Sequence, residues 1–86
     1  MIKPMAKIVV GVIRGGPSSE YDVSLKTGAM VLRALDTPEY EPVDIWIDKG
    51  GQWHAEGVPV DPLKACRAMD VAFNALHGEY GLRQKV

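Results

Sequence analysis

Residues 7–13 (KIVVGVI) are almost entirely apolar and mostly β-branched. An unbroken run of this kind is typical of a strand buried on both faces, as in a parallel sheet covered by helices. Turn-forming residues follow at once, RGGPSS at positions 14–19, and end the strand. Apolar side chains then recur at helical spacing over residues 21–35, which predicts a helix with Ser18 or Ser19 as its N-cap. The chain is therefore predicted to open with a strand, a tight turn and a helix.

The rest of the chain alternates between strand and helix signals. Residues 43–48 alternate between apolar and polar, and the KGGQ sequence at 49–52 predicts a hairpin that returns through residues 53–54. A short helix is predicted over residues 63–68 and a buried strand over residues 69–76. The order β-α-β-hairpin-α-β is an α/β pattern. We therefore expect a small three-layer α/β domain with mainly parallel strands, which corresponds to one half of a Rossmann-like fold.

Length and composition exclude several classes of protein. The 86 residues are expected to be one small domain or a piece of a larger one, and a net charge of −1 leaves no basic excess for binding nucleic acid. No apolar run approaches the roughly 20 residues of a membrane span. A single cysteine excludes an internal disulfide and fits a reducing compartment, so we expect a cytoplasmic protein with no membrane partner. A narrow sheet with apolar flanks and little net charge also predicts a homodimer or another form of self-association.

Two loops carry the candidate chemistry, because ligands of open α/β sheets bind beyond the carboxyl ends of the strands. The first loop, residues 14–20, ends at Glu20, whose carboxylate lies in the first turn of the predicted helix. Since an anion already occupies this positive helix end, the group that suits Glu20 is a cation such as a substrate ammonium. The alternative is that Glu20 only stabilises the helix dipole. In the second loop, residues 77–81, His77 either donates to a ligand carboxylate or phosphate, or is satisfied by backbone in a turn.

Neither loop carries a known phosphate-binding motif. Residues 11–16 do not match G-x-G-x-x-G, and no Gly-Lys-Ser/Thr follows them. A flavodoxin-like nucleotide binder is therefore disfavoured. The two tryptophans are predicted to pack against each other across the hairpin, two methionines to fill the core and the cysteine to be buried. These packing residues are Trp46, Trp53, Met30, Met69 and Cys66.

The same two loops resemble a known family. Residues 7–25 (KIVVGVIRGGPSSEYDVSL) resemble the opening of the D-alanine–D-alanine ligases, a strand followed by G-G-x-S-x-E-x-x-V-S-L. Residues 70–81 (DVAFNALHGEYG) are similar to the second signature of that family, D-V-x-F-x-A-L-H-G-x-x-G. The family belongs to the ATP-grasp ligases, which use ATP and Mg²⁺ to activate the carboxylate of one D-alanine. The amine of a second D-alanine then attacks, which yields the dipeptide used in peptidoglycan.

The resemblance implies roles for four residues. Glu20 matches the catalytic and substrate-binding glutamate that helps hold the ammonium of the first D-alanine. Val23 matches a valine that lines the side-chain pocket, and His77 matches a histidine near the substrate carboxylate. Ser24 matches the motif serine, for which a supporting role in substrate binding is implied.

The resemblance also implies a domain assignment. Residues 1–86 correspond to the amino-terminal, pre-ATP-grasp domain of such a ligase, with the central and ATP-grasp domains absent from this chain. ATP and Mg²⁺ are then cofactors of the intact enzyme, none is bound by this chain alone, and the chain by itself is expected to be inactive. The second substrate, D-alanine, D-lactate or D-serine, stays open. An alternative is a noncatalytic small-molecule-binding or oligomerisation module of the same fold.

Overall fold

The computed structural model describes residues 6–76, which form a five-stranded sheet and two helices. The strands are β1 (Ile8–Gly15), β2 (Tyr40–Ile47), β3 (Trp53–Ala55), β4 (Val58–Pro59) and β5 (Val71–Asn74). The helices are α1 (Tyr21–Ala34) and α2 (Pro62–Arg67). The strand order is β4-β3-β2-β1-β5, so β1 lies between β2 and β5. Neither helix of this described part is long and apolar enough to cross a membrane.

The sheet is mixed. Strand β1 pairs in parallel with β2 and with β5, whereas β2–β3 and β3–β4 pair antiparallel. The α/β prediction is confirmed, but the expectation of mainly parallel strands is not, because two of the four strand pairings are antiparallel. The reason is that short turns follow β2 and β3, and a short connection can only join antiparallel neighbours. Strand β4 is not predicted from the sequence, since two residues carry no periodic signal.

Helix α1 packs very closely on one face of β1. A Cβ added at Gly28 would lie 2.5 Å from Cδ and 2.8 Å from Cβ of Arg14, so only glycine fits this contact. This close approach explains a glycine in the middle of α1, where its low helix propensity would otherwise be a cost. The predicted N-cap is wrong, because Glu20 is the N-cap residue of α1 and no side chain caps the helix. The hydroxyl of Ser18 instead accepts a hydrogen bond from the Glu20 N–H, at 3.0 Å.

Helix α2 packs on the opposite face. Asp61 caps it, because its carboxylate accepts from the backbone N–H groups of Leu63 and Lys64. Ala65 of this helix and Ile45 of β2 are both buried there and line an apolar cavity of about 190 Å³. Together with Val12, which is fully buried beneath α1, they form a core on both faces of the sheet.

The register of the β2–β3 hairpin separates the two tryptophans. Trp46 lies opposite His54, and Trp53 lies opposite Ile47. The expected Trp46–Trp53 contact is therefore wrong, since neighbouring strand positions point to opposite faces. The turn that sets this register includes Asp48, whose carboxylate accepts from two backbone N–H groups of the turn. Trp46 instead stacks on His54, with ring centroids 4.3 Å apart.

Two further packing predictions are wrong. Met30 is 60% exposed on the outer side of α1, and Cys66 is exposed on α2. Helical spacing marks one apolar stripe, but it does not show how far the neighbouring element extends beneath it. Met69 is half-buried and lies over Gly11, where an added Cβ would clash with its side chain. The burial predicted for the last strand is wrong as well, because β5 lies at the end of the sheet order and all four of its residues are exposed.

Candidate functional site

The candidate site lies where β1 and β5 end. These strands are parallel neighbours with Ile13 opposite Asn74, so the segments that follow them leave from the same edge of the sheet. This agrees with the prediction that the two loops start side by side. Residues 14–20 are described, whereas His77 and the rest of the second loop lie outside the described residues.

A sharp glycine turn carries the chain from β1 into α1. Gly15 and Gly16 have φ values of +94° and +93°, in the left-handed region that favours glycine. The N–H of Gly16 donates to the carbonyl oxygen of Ile47 at 2.7 Å, which holds the turn against the end of β2. A Cβ at Gly15 would clash with that same carbonyl oxygen. The two glycines therefore allow the helix to begin within a few residues of the sheet edge.

Glu20 ends this turn and is half-buried. Its backbone is held on both sides, because its N–H donates to the Ser18 hydroxyl and its carbonyl oxygen accepts from the Ser24 N–H at 2.8 Å. Among residues 6–76, no Lys, Arg or His lies within ion-pair distance of its carboxylate. The described part of the site thus presents an acidic group without a cationic partner, and its role toward a substrate stays a prediction.

Val23 and Ser24 are neighbours in α1 with opposite surroundings. Val23 is 48% exposed, whereas Ser24 is fully buried. Successive residues of a helix are about 100° apart around the axis, which turns one side chain outward and the other toward the sheet. The Ser24 hydroxyl accepts a hydrogen bond from the Gly15 N–H at 2.8 Å and donates one to the Ala75 carbonyl oxygen at 2.6 Å. It therefore joins the ends of β1 and β5.

An ion pair that the sequence did not predict lies beneath α1. Nε and Nη2 of Arg14 donate to the two carboxylate oxygens of Asp44, at 2.9 and 2.8 Å, and Nη1 donates to the Leu25 carbonyl oxygen. The hydrogen bonds to Asp44 raise the pKa of Arg14, against the opposing effect of burial. The pair links β1, β2 and α1. Its sequence signal is weak, since it needs the strand register to bring both residues to one face.

An aromatic contact holds the residue next to Glu20. Nε1 of Trp46 donates to the Tyr21 hydroxyl at 2.8 Å, and Nζ of Lys49 lies 5.0 Å from the Tyr21 ring centroid. The His54 ring stacks on the ring of Trp46. The start of α1 therefore contacts the β2–β3 hairpin as well as β1.

The fold and the turn define an α/β domain that presents an acidic side chain at the carboxyl-end edge of its parallel strands. Residues 9–62 match the family model described as D-ala D-ala ligase N-terminus. This match spans more than half of the chain. The chain belongs to the D-alanine–D-alanine ligase N-terminus family, which confirms the resemblance seen in the sequence.

The chain is similar to proteins and solved structures that are named as ligases and are several times longer than it. A D-alanine–D-alanine ligase of Solibacter usitatus is 37% identical over 76 residues, which are 87% of this chain and 23% of that protein. The VanG D-Ala:D-Ser ligase from Enterococcus faecalis has a TM-score of 0.55 and 32% identity, over 58% of this chain and 15% of that one. The D-alanine-D-alanine ligase from Coxiella burnetii has a TM-score of 0.55 and 26% identity, over 74% of this chain and 17% of that one. The chain spans less than a quarter of the length of these relatives.

Proposed function

We propose that residues 1–86 are the amino-terminal, substrate-side (pre-ATP-grasp) domain of an ATP-dependent D-alanine–D-alanine ligase. The intact enzyme joins two D-alanines in the cytoplasm to give the dipeptide of peptidoglycan. One observation carries the proposal: the Gly15-Gly16 turn brings Glu20 to the start of α1, at the edge shared by β1 and β5. Membership of the ligase family supports it.

The proposed substrate contacts follow from charge. D-Alanine is a zwitterion, so its binding site needs an anion for the ammonium and a donor for the carboxylate. Glu20 is the anion, and the exposed Val23 lies on the same turn, where it can line the side-chain pocket. His77 follows Ala75 by two residues and is the proposed donor. The D-alanine is therefore held between the two loops.

ATP and Mg²⁺ are assigned to other parts of the intact ligase. Residues 6–76 contain no group of three or more His, Cys, Asp or Glu side chains that could hold a metal ion. The start of α1, where phosphates bind in many nucleotide folds, is followed by a second acidic residue, Asp22, beside Glu20. These residues do not fit an ATP–magnesium complex, and no phosphoryl-transfer step is derived from them.

A chimeric ligase tests the proposal. Residues 7–76 replace the matching segment of the Solibacter usitatus ligase, and D-alanine-dependent release of ADP is measured. We expect an active chimera. A chimera that shows a cooperative thermal transition but releases no ADP with D-alanine would contradict the proposed function.

Two matched variants of the chimera separate the two readings of Glu20. Glu20→Gln removes a charge-assisted contact worth about 1.5–3 kcal/mol, so the KM for the first D-alanine should rise about 10- to 100-fold. Asp22→Asn removes the same charge from the same helical turn at an exposed position, and should leave KM unchanged. If both variants alter KM equally, or neither does, Glu20 only stabilises the helix dipole.

The alternative, an oligomerisation module, has one observation in its favour. Within residues 6–76, β5 pairs only with β1, and its Val71 and Phe73 are 51% and 43% exposed. The strand contains no charged residue, although charges commonly protect such edges from pairing. We propose that β5 of a second copy of the chain pairs with this edge. Antiparallel pairing about a two-fold axis would keep the two Asp70 carboxylates apart.

Light scattering on the 86-residue chain tests this pairing. We expect a dimer whose population falls when Phe73 is replaced by Lys, and a monomer at millimolar concentration would contradict it. Titration with D-alanine and with ATP completes the comparison. Binding of either one by the chain alone at millimolar concentration favours a binding module, and no binding favours the incomplete ligase site.

A further inference from the structure

Ser24 has an unusual position for a polar side chain. Within residues 6–76 it is the only polar or charged residue that is buried, and it is 0% exposed. A buried hydroxyl needs partners, because an unpaired buried polar group is costly. Both partners of Ser24 are backbone groups at the ends of two neighbouring strands, the Gly15 N–H and the Ala75 carbonyl oxygen.

The hydroxyl takes the place of a rung of the parallel ladder. The N–H of Ala75 donates to the Ile13 carbonyl oxygen at 2.8 Å. In a regular parallel ladder, the next bond would run from the Gly15 N–H directly to the Ala75 carbonyl oxygen. Here the Ser24 hydroxyl stands between these two groups, with bonds of 2.8 and 2.6 Å instead of one direct bond. The ends of β1 and β5 are thus held apart by one hydroxyl group.

This separation lies where the described chain leaves β1 for the Glu20 turn and leaves β5 for the residues that precede His77. Glu20 is one helical turn before Ser24, and its carbonyl oxygen accepts from the Ser24 N–H. On the other strand, His77 follows Ala75 by two residues. We infer that Ser24 is a positioning residue, whose hydroxyl sets the distance between the Glu20 turn and the segment that leads to His77. The inference rests on the proposed function, and it gives Ser24 a role through the backbone instead of a contact with the substrate.

The bridge itself is tested by NMR on the 86-residue chain, with no substrate present. A scalar coupling across a hydrogen bond, from the Gly15 amide nitrogen to the Ala75 carbonyl carbon, should be absent in the wild-type chain. In Ser24→Ala the coupling should appear, or the Gly15 amide should exchange with solvent at least 10-fold faster. A direct coupling in the wild-type chain, or a Ser24→Ala spectrum with neither change, would overturn the inference.

The functional consequence is tested in the chimeric ligase. Ser24→Ala should raise the KM for the first D-alanine about 10-fold or more, because small displacements of substrate-binding groups have large effects. Ser24→Thr keeps the hydroxyl and should restore KM to within about 3-fold of the parent. Ile45→Ala is the control, since it removes a buried side chain from the opposite sheet face and should lower the thermal midpoint without changing KM.

The outcomes separate the two proposals. An unchanged KM in Ser24→Ala, or an equal rise in Ile45→Ala, would overturn the positioning role while the proposed function stands. If Ser24→Ala does not fold in the chimera, Ser24→Cys, which keeps a weaker donor, should give an intermediate rise in KM; a wild-type KM would count against the inference. A folded but inactive chimera would reject the proposed function, and the NMR result would still decide whether Ser24 holds the strands apart.

Discussion

Replacing Gly28 with alanine sets two effects of known size against each other. In an exposed helix the change would stabilise the protein by about 1 kcal/mol, because alanine has the higher helix propensity. Here the new methyl group would lie 2.5 Å from Cδ and 2.8 Å from Cβ of Arg14. Either the Arg14 side chain moves or α1 lifts from the sheet.

The structure indicates which effect is larger. Moving Arg14 disturbs two hydrogen bonds to Asp44 and one to the Leu25 carbonyl oxygen. The Arg14 and Asp44 side chains are 20% and 28% exposed, so solvent weakens the pair only in part. Its loss should cost about 2–3 kcal/mol, which exceeds the gain in propensity of about 1 kcal/mol. The net expectation is a destabilisation of about 1–2 kcal/mol.

Thermal unfolding of the 86-residue chain measures the result. For a domain of this size, each kcal/mol lowers the midpoint by about 4–8 °C. Lys26→Ala, at an exposed position of the same helix, is the control and should change stability by less than about 0.5 kcal/mol. The cost of Gly28→Ala should also shrink in an Arg14→Ala background, although the remaining Cβ still makes a close contact. A midpoint that rises in Gly28→Ala would refute the close packing of α1 on β1.

Three further predictions concern single contacts. Arg14→Met leaves the Asp44 carboxylate unpaired and should destabilise the chain by about 2–3 kcal/mol in urea unfolding. Because hydrogen bonds to Asp44 raise the folded-state pKa of Arg14 above its ordinary value, this contribution is fully present at neutral and mildly alkaline pH. An Arg14 contribution that differs between these two conditions would contradict the assignment. Trp46→Phe removes the hydrogen bond to the Tyr21 hydroxyl, which should cost about 1 kcal/mol, measured by circular dichroism. The effect should be smaller in a Tyr21→Phe background, where only the packing of Trp46, including its stacking on His54, is changed. Asp61→Ala removes the N-cap of α2 and should lower stability by about 1 kcal/mol, whereas an unchanged midpoint would argue against the cap.

Local sequence patterns predicted the elements well where periodicity and turn residues agree. The strand, glycine turn and helix at the start of the chain all form as expected, and helix α2 and strand β5 lie close to their predicted positions. Strand β4 was not predicted, and the sheet is mixed where mainly parallel strands were expected. Both errors come from the hairpin region, where short segments carry little periodic signal and the direction of the chain depends on turn length.

Residues of the candidate site were predictable to different degrees. The position of Glu20 follows from a glycine turn and the start of a helix, which are local features. The surroundings of Ser24 do not, because its two partners come from Gly15 and from Ala75, which lies 51 residues away in sequence. The Arg14–Asp44 pair likewise needs β1 and β2 in register.

Three features could be predicted from the amino-acid sequence alone: the α/β class, the glycine turn that presents Glu20, and the resemblance to the ligase family. These depend on side-chain periodicity, turn chemistry and motif spacing, all of which are properties of short segments. Three contacts could be seen only in the folded chain: Trp46 stacks on His54, Arg14 pairs with Asp44, and the Ser24 hydroxyl bridges the ends of β1 and β5. Such contacts depend on strand register, and a shift of one residue moves every side chain of a strand to the other face.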